Sequence, residues 1–305
     1  MSDLEQRDNP YNVTQASRIY FLPNLMTAGN LFCGFIAVIK CIQARLLTDG
    51  GDYAMLHGAG DAMHKSGALY SQAVMFILAA VVFDSLDGRL ARMGGRTSLF
   101  GAEFDSLADV VSFGVAPALM VFFLILAPRE QYQWFRELGW FIAFIYLLCG
   151  AVRLARFNVI TNPLLHRAEA ESSKDFVGLP IPAAAGTVAT LVLLLINMAD
   201  NARELRLLTL CLPLLLVLVS FLMVSTVRYP SFKQVNWETR TRVRSFVGLF
   251  IVVAIVWRWQ EVSLFFLFLA YIFYGLFAHY QRGVRHVQMR ALRRKVVKMK
   301  QEESE

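Results

Sequence analysis

Residues 84–109 read DSLDGRLARMGGRTSLFGAEFDSLAD and carry four aspartates, Asp84, Asp87, Asp105 and Asp109, within an otherwise apolar stretch. An ionised carboxylate at the edge of a bilayer costs several kcal/mol unless it is paired or metal-bound, so four in one segment need a shared reason. Asp84 and Asp87 are spaced i, i+3, and Asp105 and Asp109 i, i+4, so each pair projects from one face of its helix. The two pairs are expected to meet across a helical hairpin. Between them stand Gly88, Ala91, Gly94, Gly95 and Gly101, small enough to admit a bulky ligand or a second backbone, with Arg89, Arg92 and Arg96. Carboxylates, small residues and arginines together suit a metal-bound diphosphate.

Working outward, composition demands a membrane: hydrophobic residues make up 56% of the chain and mean hydropathy is +0.48, above the roughly 45–50% of soluble domains. Eight transmembrane helices are expected, at about 19–44, 67–92, 105–127, 136–157, 181–199, 207–227, 245–258 and 262–280. The seventh is shorter than the ~20 residues that span a bilayer unaided. With both termini cytoplasmic, the inside segments hold 22 of the 30 lysines and arginines and the outside loops 7, Lys40 lying within the first span. That bias places the aspartates on the cytoplasmic side. Trp134, Trp140, Trp237, Trp257 and Trp259 all fall near span ends, as an interfacial belt requires. Residues 1–17 are polar, so no cleavable signal is expected and the first span serves as the targeting segment.

The pattern DxxDGxxAR, eight residues, G, three residues, D, three residues, D is matched throughout by Asp84, Asp87, Gly88, Ala91, Arg92, Gly101, Asp105 and Asp109. It resembles the signature of the CDP-alcohol phosphotransferase family. The flanking strings PNLMTAGNLFCGF from residue 23, FDSLADVVSFGVAPAL, RLARFN from 153 and FVGLPIPAAAG from 176 resemble the branch that uses serine as acceptor. The resemblance implies an all-α polytopic membrane protein in which six helices form the catalytic core. The expected organisation is a cytoplasmic segment 1–18, the core 19–227, two added helices with a preceding basic loop over 228–280, and a basic tail 281–305.

What the resemblance implies for chemistry is transfer of the phosphatidyl group of CDP-diacylglycerol to an alcohol with release of CMP, assisted by two divalent ions, Mg²⁺ or Mn²⁺. Asp84, Asp87 and Asp105 are the implied metal ligands, with Asp109 a ligand of the second ion or the catalytic base. Gly88, Ala91 and Gly101 would line the nucleotide pocket and Arg92 would pair with phosphate. Asn24 and Thr27, near the cytoplasmic end of the first span, are expected either to bond the nucleotide or to cap the helix. The resemblance also implies a homodimer, and a multi-pass protein of the bacterial inner membrane with its active site facing the cytoplasm.

For the acceptor, Arg153 and Arg156 sit three apart on one helix face, able to grip a serine carboxylate or an acceptor phosphate, or else to serve as positive-inside charge. Chemistry alone leaves serine, glycerol 3-phosphate, inositol phosphate and choline open. The flanking strings favour L-serine, with Phe176 and Gly178 expected to shape its pocket. Cys33, Cys41, Cys149 and Cys211 lack metal-ligand spacing, and the five histidines do not converge on the aspartates. The basic stretch RGVRHVQMRALRRKVVKMK suits anionic lipid or a solvated tail, not nucleic acid. A divalent-cation transporter is the rival from another class, opposed by acids clustered at one membrane edge with three arginines among them.

Overall fold

The first two expected spans close into a long antiparallel hairpin, α1 (Phe21–Thr48) and α2 (Ala59–Met93). Ala37, Cys41 and Ala44 of α1 share one core with Ala73, Val74, Ile77 and Ala80 of α2. Side chains this small let two backbones approach closely in lipid, where helix association rests on packing. Ser66 donates to the Ala44 carbonyl at 3.0 Å near one end of the hairpin, while Thr27 meets Asp87 near the other. The chain is described here from a computed structural model over residues 21–49, 58–93, 99–126, 133–161, 176–200, 206–229 and 262–282. α2 begins at Ala59, ahead of the expected 67, because hydropathy reports the bilayer crossing while backbone hydrogen bonds carry a helix on into the polar interface.

Residues 99–126 form one continuous rod: α3 (Leu99–Asp109), a π-helical segment Val110–Val115, α4 (Ala116–Val121) and a second π-helical segment Phe122–Leu126. Pro117 contributes no N–H, so the Phe113 carbonyl four residues back loses its usual donor. Tyr146, on the next helix, donates its hydroxyl to that carbonyl at 3.0 Å. The rod runs parallel to α1, with Ser112 donating to the Asn30 carbonyl at 2.9 Å and Arg45 Nη1 reaching the Phe123 carbonyl at 3.4 Å. A Cβ at Gly34 would fall 2.6 Å from the Ser112 Cα, so only glycine allows this approach.

α5 (Gln133–Thr161) returns antiparallel to the rod, joined to it by Tyr146 and, near its far end, by Asn158 Nδ2 donating to Ser106 Oγ at 2.9 Å. α6 (Ile181–Asp200) is deeply enclosed, with Ala184, Ala185, Val188, Ala189 and Val192 fully buried. Its Thr187 and Thr190 hydroxyls, cut off from water, each donate back to a carbonyl one turn earlier at 2.7 Å. α7 (Arg206–Val224) packs on α5 and α6. Two-residue strands β1 (Phe176–Val177) and β2 (Arg228–Tyr229) pair antiparallel, Phe176 opposite Tyr229, and make the one small departure from an all-α chain among the described residues.

Gly178 follows β1 with φ +82°, and a Cβ there would strike the Met223 carbonyl oxygen at the end of α7. The last described helix, α8 (Val262–Arg282), lays the Phe268 ring on Gly186 of α6. Six of these helices are long and apolar enough to cross a membrane, and Cys211–Val224 of α7 is a shorter apolar helix. The chain is therefore an integral, multi-pass membrane protein. Phe32, Phe35, Trp140, Leu214, Phe221 and Phe273 stand outward, each more than half exposed, as a lipid-facing surface demands. The expected seventh span and the basic tail lie outside the described residues.

Candidate active site

Both α2 and α3 pack against α1, and that shared neighbour brings the two aspartate pairs together. Carboxylate oxygens of Asp84, Asp105 and Asp109 all lie within 4.8 Å of one another. Asp87 adjoins this group through a hydrogen-bond contact with Asp105. Its Oδ2 also lies 3.1 Å from the Thr27 hydroxyl, which is equally close to the Pro23 carbonyl. Four carboxylates packed this closely repel one another strongly unless protons or cations intervene. Asp105 Oδ1 is buried without a hydrogen-bond partner. An orphaned carboxylate oxygen beside two further carboxylates is a donor set that fits hard divalent cations.

Asn30 of α1, absent from the sequence-based site, donates from Nδ2 to Asp109 Oδ1 at 3.0 Å. Its backbone carbonyl is held by Ser112, and its own Oδ1 is buried without a partner. The signal for it was present in PNLMTAGN: Asn30 stands three residues beyond Thr27, on the same helix face, as an uncharged polar residue inside an apolar span. Asn24 and Thr27 lie inside α1, which corrects the helix-cap alternative for both. Thr27 is buried against the aspartates, while Asn24 sits half-buried one turn earlier.

Of the small residues, Gly88 closes the turn that carries Asp87, and Gly101 lies in the first turns of α3, both half-buried. Ala91 and Arg92 belong to the last turn of α2, but their side chains, like Gly94, Gly95 and Arg96, lie outside the described residues. Arg89 is exposed. The two acceptor candidates differ: Arg153 is buried, at 8% exposure, and interacts electrostatically with Asp109 and Asp84, whereas Arg156 is half-buried. Phe157 lies 5.9 Å below the Arg153 guanidinium, and Arg153 Nε has no hydrogen-bond partner. Gly178 holds a backbone corner against α7, and the side chain of Phe176 is outside the described residues.

Beside this geometry, in which the carboxylate cluster lies near buried Arg153, a family model for CDP-alcohol phosphatidyltransferase matches residues 20–224. This chain belongs to the CDP-alcohol phosphatidyltransferase family. The matched region runs from the start of α1 to the end of α7, so β2 and α8 lie beyond it. Among individual relatives, a CDP-diacylglycerol--serine O-phosphatidyltransferase of Helicobacter pylori is 33% identical over 260 residues, covering 85% of this chain and 90% of that protein. An archaetidylserine synthase of Methanothermobacter thermautotrophicus is 31% identical over 211 residues, covering 68% of this chain and 69% of its own. A Saccharomyces cerevisiae enzyme named like the first is 37% identical over 161 residues, 53% of this chain and 49% of that protein.

Proposed function

We propose that this family member transfers the phosphatidyl group of CDP-diacylglycerol to the hydroxyl of L-serine, yielding phosphatidylserine and CMP. The observation that carries the chemistry is the convergence of Asp84, Asp105 and Asp109 within 4.8 Å, beside buried Arg153. The names of the relatives carry the choice of serine. Two divalent ions, Mg²⁺ or Mn²⁺, would be held by Asp84, Asp87 and Asp105, with Asp109 beside them as the base; when bound they would neutralise the diphosphate and stabilise the entering and leaving oxygens. Gly88, Ala91 and Gly101 leave room for cytidine, Arg92 pairs with phosphate, and Asn24 and Thr27 flank the nucleotide, Thr27 chiefly by orienting Asp87.

The displacement is direct. The serine oxygen forms a bond to the lipid-bearing phosphorus as the phosphorus–oxygen bond to CMP breaks, with inversion at phosphorus. Asp109 accepts the proton of the serine hydroxyl, in a carboxylate orientation that the Asn30 amide holds. Arg153 binds the serine carboxylate. The protein works in the bacterial inner membrane as a homodimer, with residues 19–227 as catalytic core and the active site and both termini cytoplasmic.

Acceptor competition tests the reading. Purified enzyme given CDP-diacylglycerol and a mixture of serine, glycerol 3-phosphate, inositol phosphate and choline should release CMP and make phosphatidylserine. Another lipid product in place of phosphatidylserine overturns the choice of serine. No CMP release with any acceptor, at saturating Mg²⁺ or Mn²⁺, overturns the enzyme reading.

A further inference from the structure

Among the described residues, Nε of Arg153 and the hydroxyl of Tyr229 are buried polar atoms without a hydrogen-bond partner. Both side chains are more than nine-tenths buried, Tyr229 completely. Leaving such groups unmet costs about 1–3 kcal/mol each, so a ligand that meets them is favoured. A third residue links them. Tyr271 of α8 interacts electrostatically with Arg153, and its ring centroid lies 5.8 Å from that of Tyr229 at an interplanar angle of 34°.

The packing that brings them together is specific. Tyr229 sits in β2 opposite Phe176, and its ring rests on Gly275 of α8, where any Cβ would collide with it. One helical stretch earlier, Phe268 lies on Gly186 of α6. These two contacts seat α8 so that Tyr271 faces the Arg153 side of the site. Burial, reinforced by the neighbouring Tyr271, pushes the Tyr229 phenol up to about 12, so it remains a neutral donor at physiological pH.

We propose that Tyr229 and Tyr271, from chain beyond the family-matched domain, complete the acceptor site with Arg153 and bind the carboxylate of the amino-acid acceptor. This rests on the serine-transfer reading above. A guanidinium with the Tyr271 phenol near it, and Tyr229 packed on Tyr271, matches the single charge of a carboxylate, while a dianionic phosphate needs more positive charge to offset its desolvation. The last helix then sets acceptor choice, and the six-helix core supplies the metal and nucleotide chemistry.

The test uses full-length enzyme in nanodiscs, with Tyr229→Phe and Tyr271→Phe assayed against both substrates. Each variant should raise the KM for serine about 10- to 100-fold, the range for losing a hydrogen bond to a charged group. The KM for CDP-diacylglycerol should stay within about twofold, on that same scale of one lost contact, and the preference for serine over ethanolamine, which lacks the carboxylate, should shrink. Tyr229→Phe removes an unpartnered hydroxyl, so its melting temperature should hold or rise. An unchanged serine KM in both variants overturns the proposal while leaving serine transfer intact, and so does a rise in both KM values together with a fall in melting temperature. A wild-type enzyme that forms no phosphatidylserine removes the underlying reading and the proposal with it.

Discussion

Asp109 is held from two sides, by the Asn30 amide and by its place in the carboxylate cluster. Asp109→Asn should keep affinity for CDP-diacylglycerol and metal but lose turnover by about 10²-fold or more, the usual weight of a general base. Parallel loss of nucleotide and metal affinity would instead make it chiefly a ligand. Asp84→Asn, Asp87→Asn and Asp105→Asn each remove a charge while keeping shape, and activity should collapse in protein that still inserts and purifies. Near-normal turnover of any one at saturating metal removes that residue from the ligand set. The aspartates were legible in the sequence because an ionised group in an apolar span demands an explanation. Asn30 was less so, since a neutral amide costs less to bury and its importance depends on which residue of another helix it faces.

Helix existence could be read from hydropathy, but helix irregularity could not. The π-helical segment after Asp109 depends on Pro117, on the Gly34 approach and on a hydroxyl from α5 that meets the vacated Phe113 carbonyl. Tyr146→Phe keeps the ring and strands that carbonyl, so stability should fall by about 1–3 kcal/mol. The measurement is the melting temperature in detergent, and an unchanged value means the carbonyl finds another donor. Gly178→Ala should be destabilising by roughly 1–2 kcal/mol or more, from its left-handed backbone and the Met223 carbonyl. Full stability of this variant would mean that the β1–α6 corner can rearrange.

For the molecule as a whole, the proposed orientation rests on the positive-inside bias of the charges. In a background lacking Cys33, Cys41, Cys149 and Cys211, single cysteines at Arg96, Lys174 and Lys233 should be shielded from an impermeant thiol reagent in right-side-out vesicles. One at Gln131 should react. The reverse pattern overturns both the orientation and the side on which the site opens. The C-terminal ends of α2 and α5 stand at the same end of the bundle as Thr27 and Asp87, so one labelling experiment reports on the side of the site as well.

Local signals along the chain were enough for the family signature, the membrane class and the aspartates, because hydropathy and charge spacing act over one or two helical turns and survive without tertiary context. Tertiary packing alone brought Asn30 to Asp109 and turned Arg153 inward. It also seated α8 beside the site. Sequence marked that last helix as an addition to the core, and its apolar stretch carries no sign of which neighbour it meets. Its position is set by ring-on-glycine contacts between residues far apart in the chain, Phe268 with Gly186 and Tyr229 with Gly275, and such pairings exist only once the helices have packed.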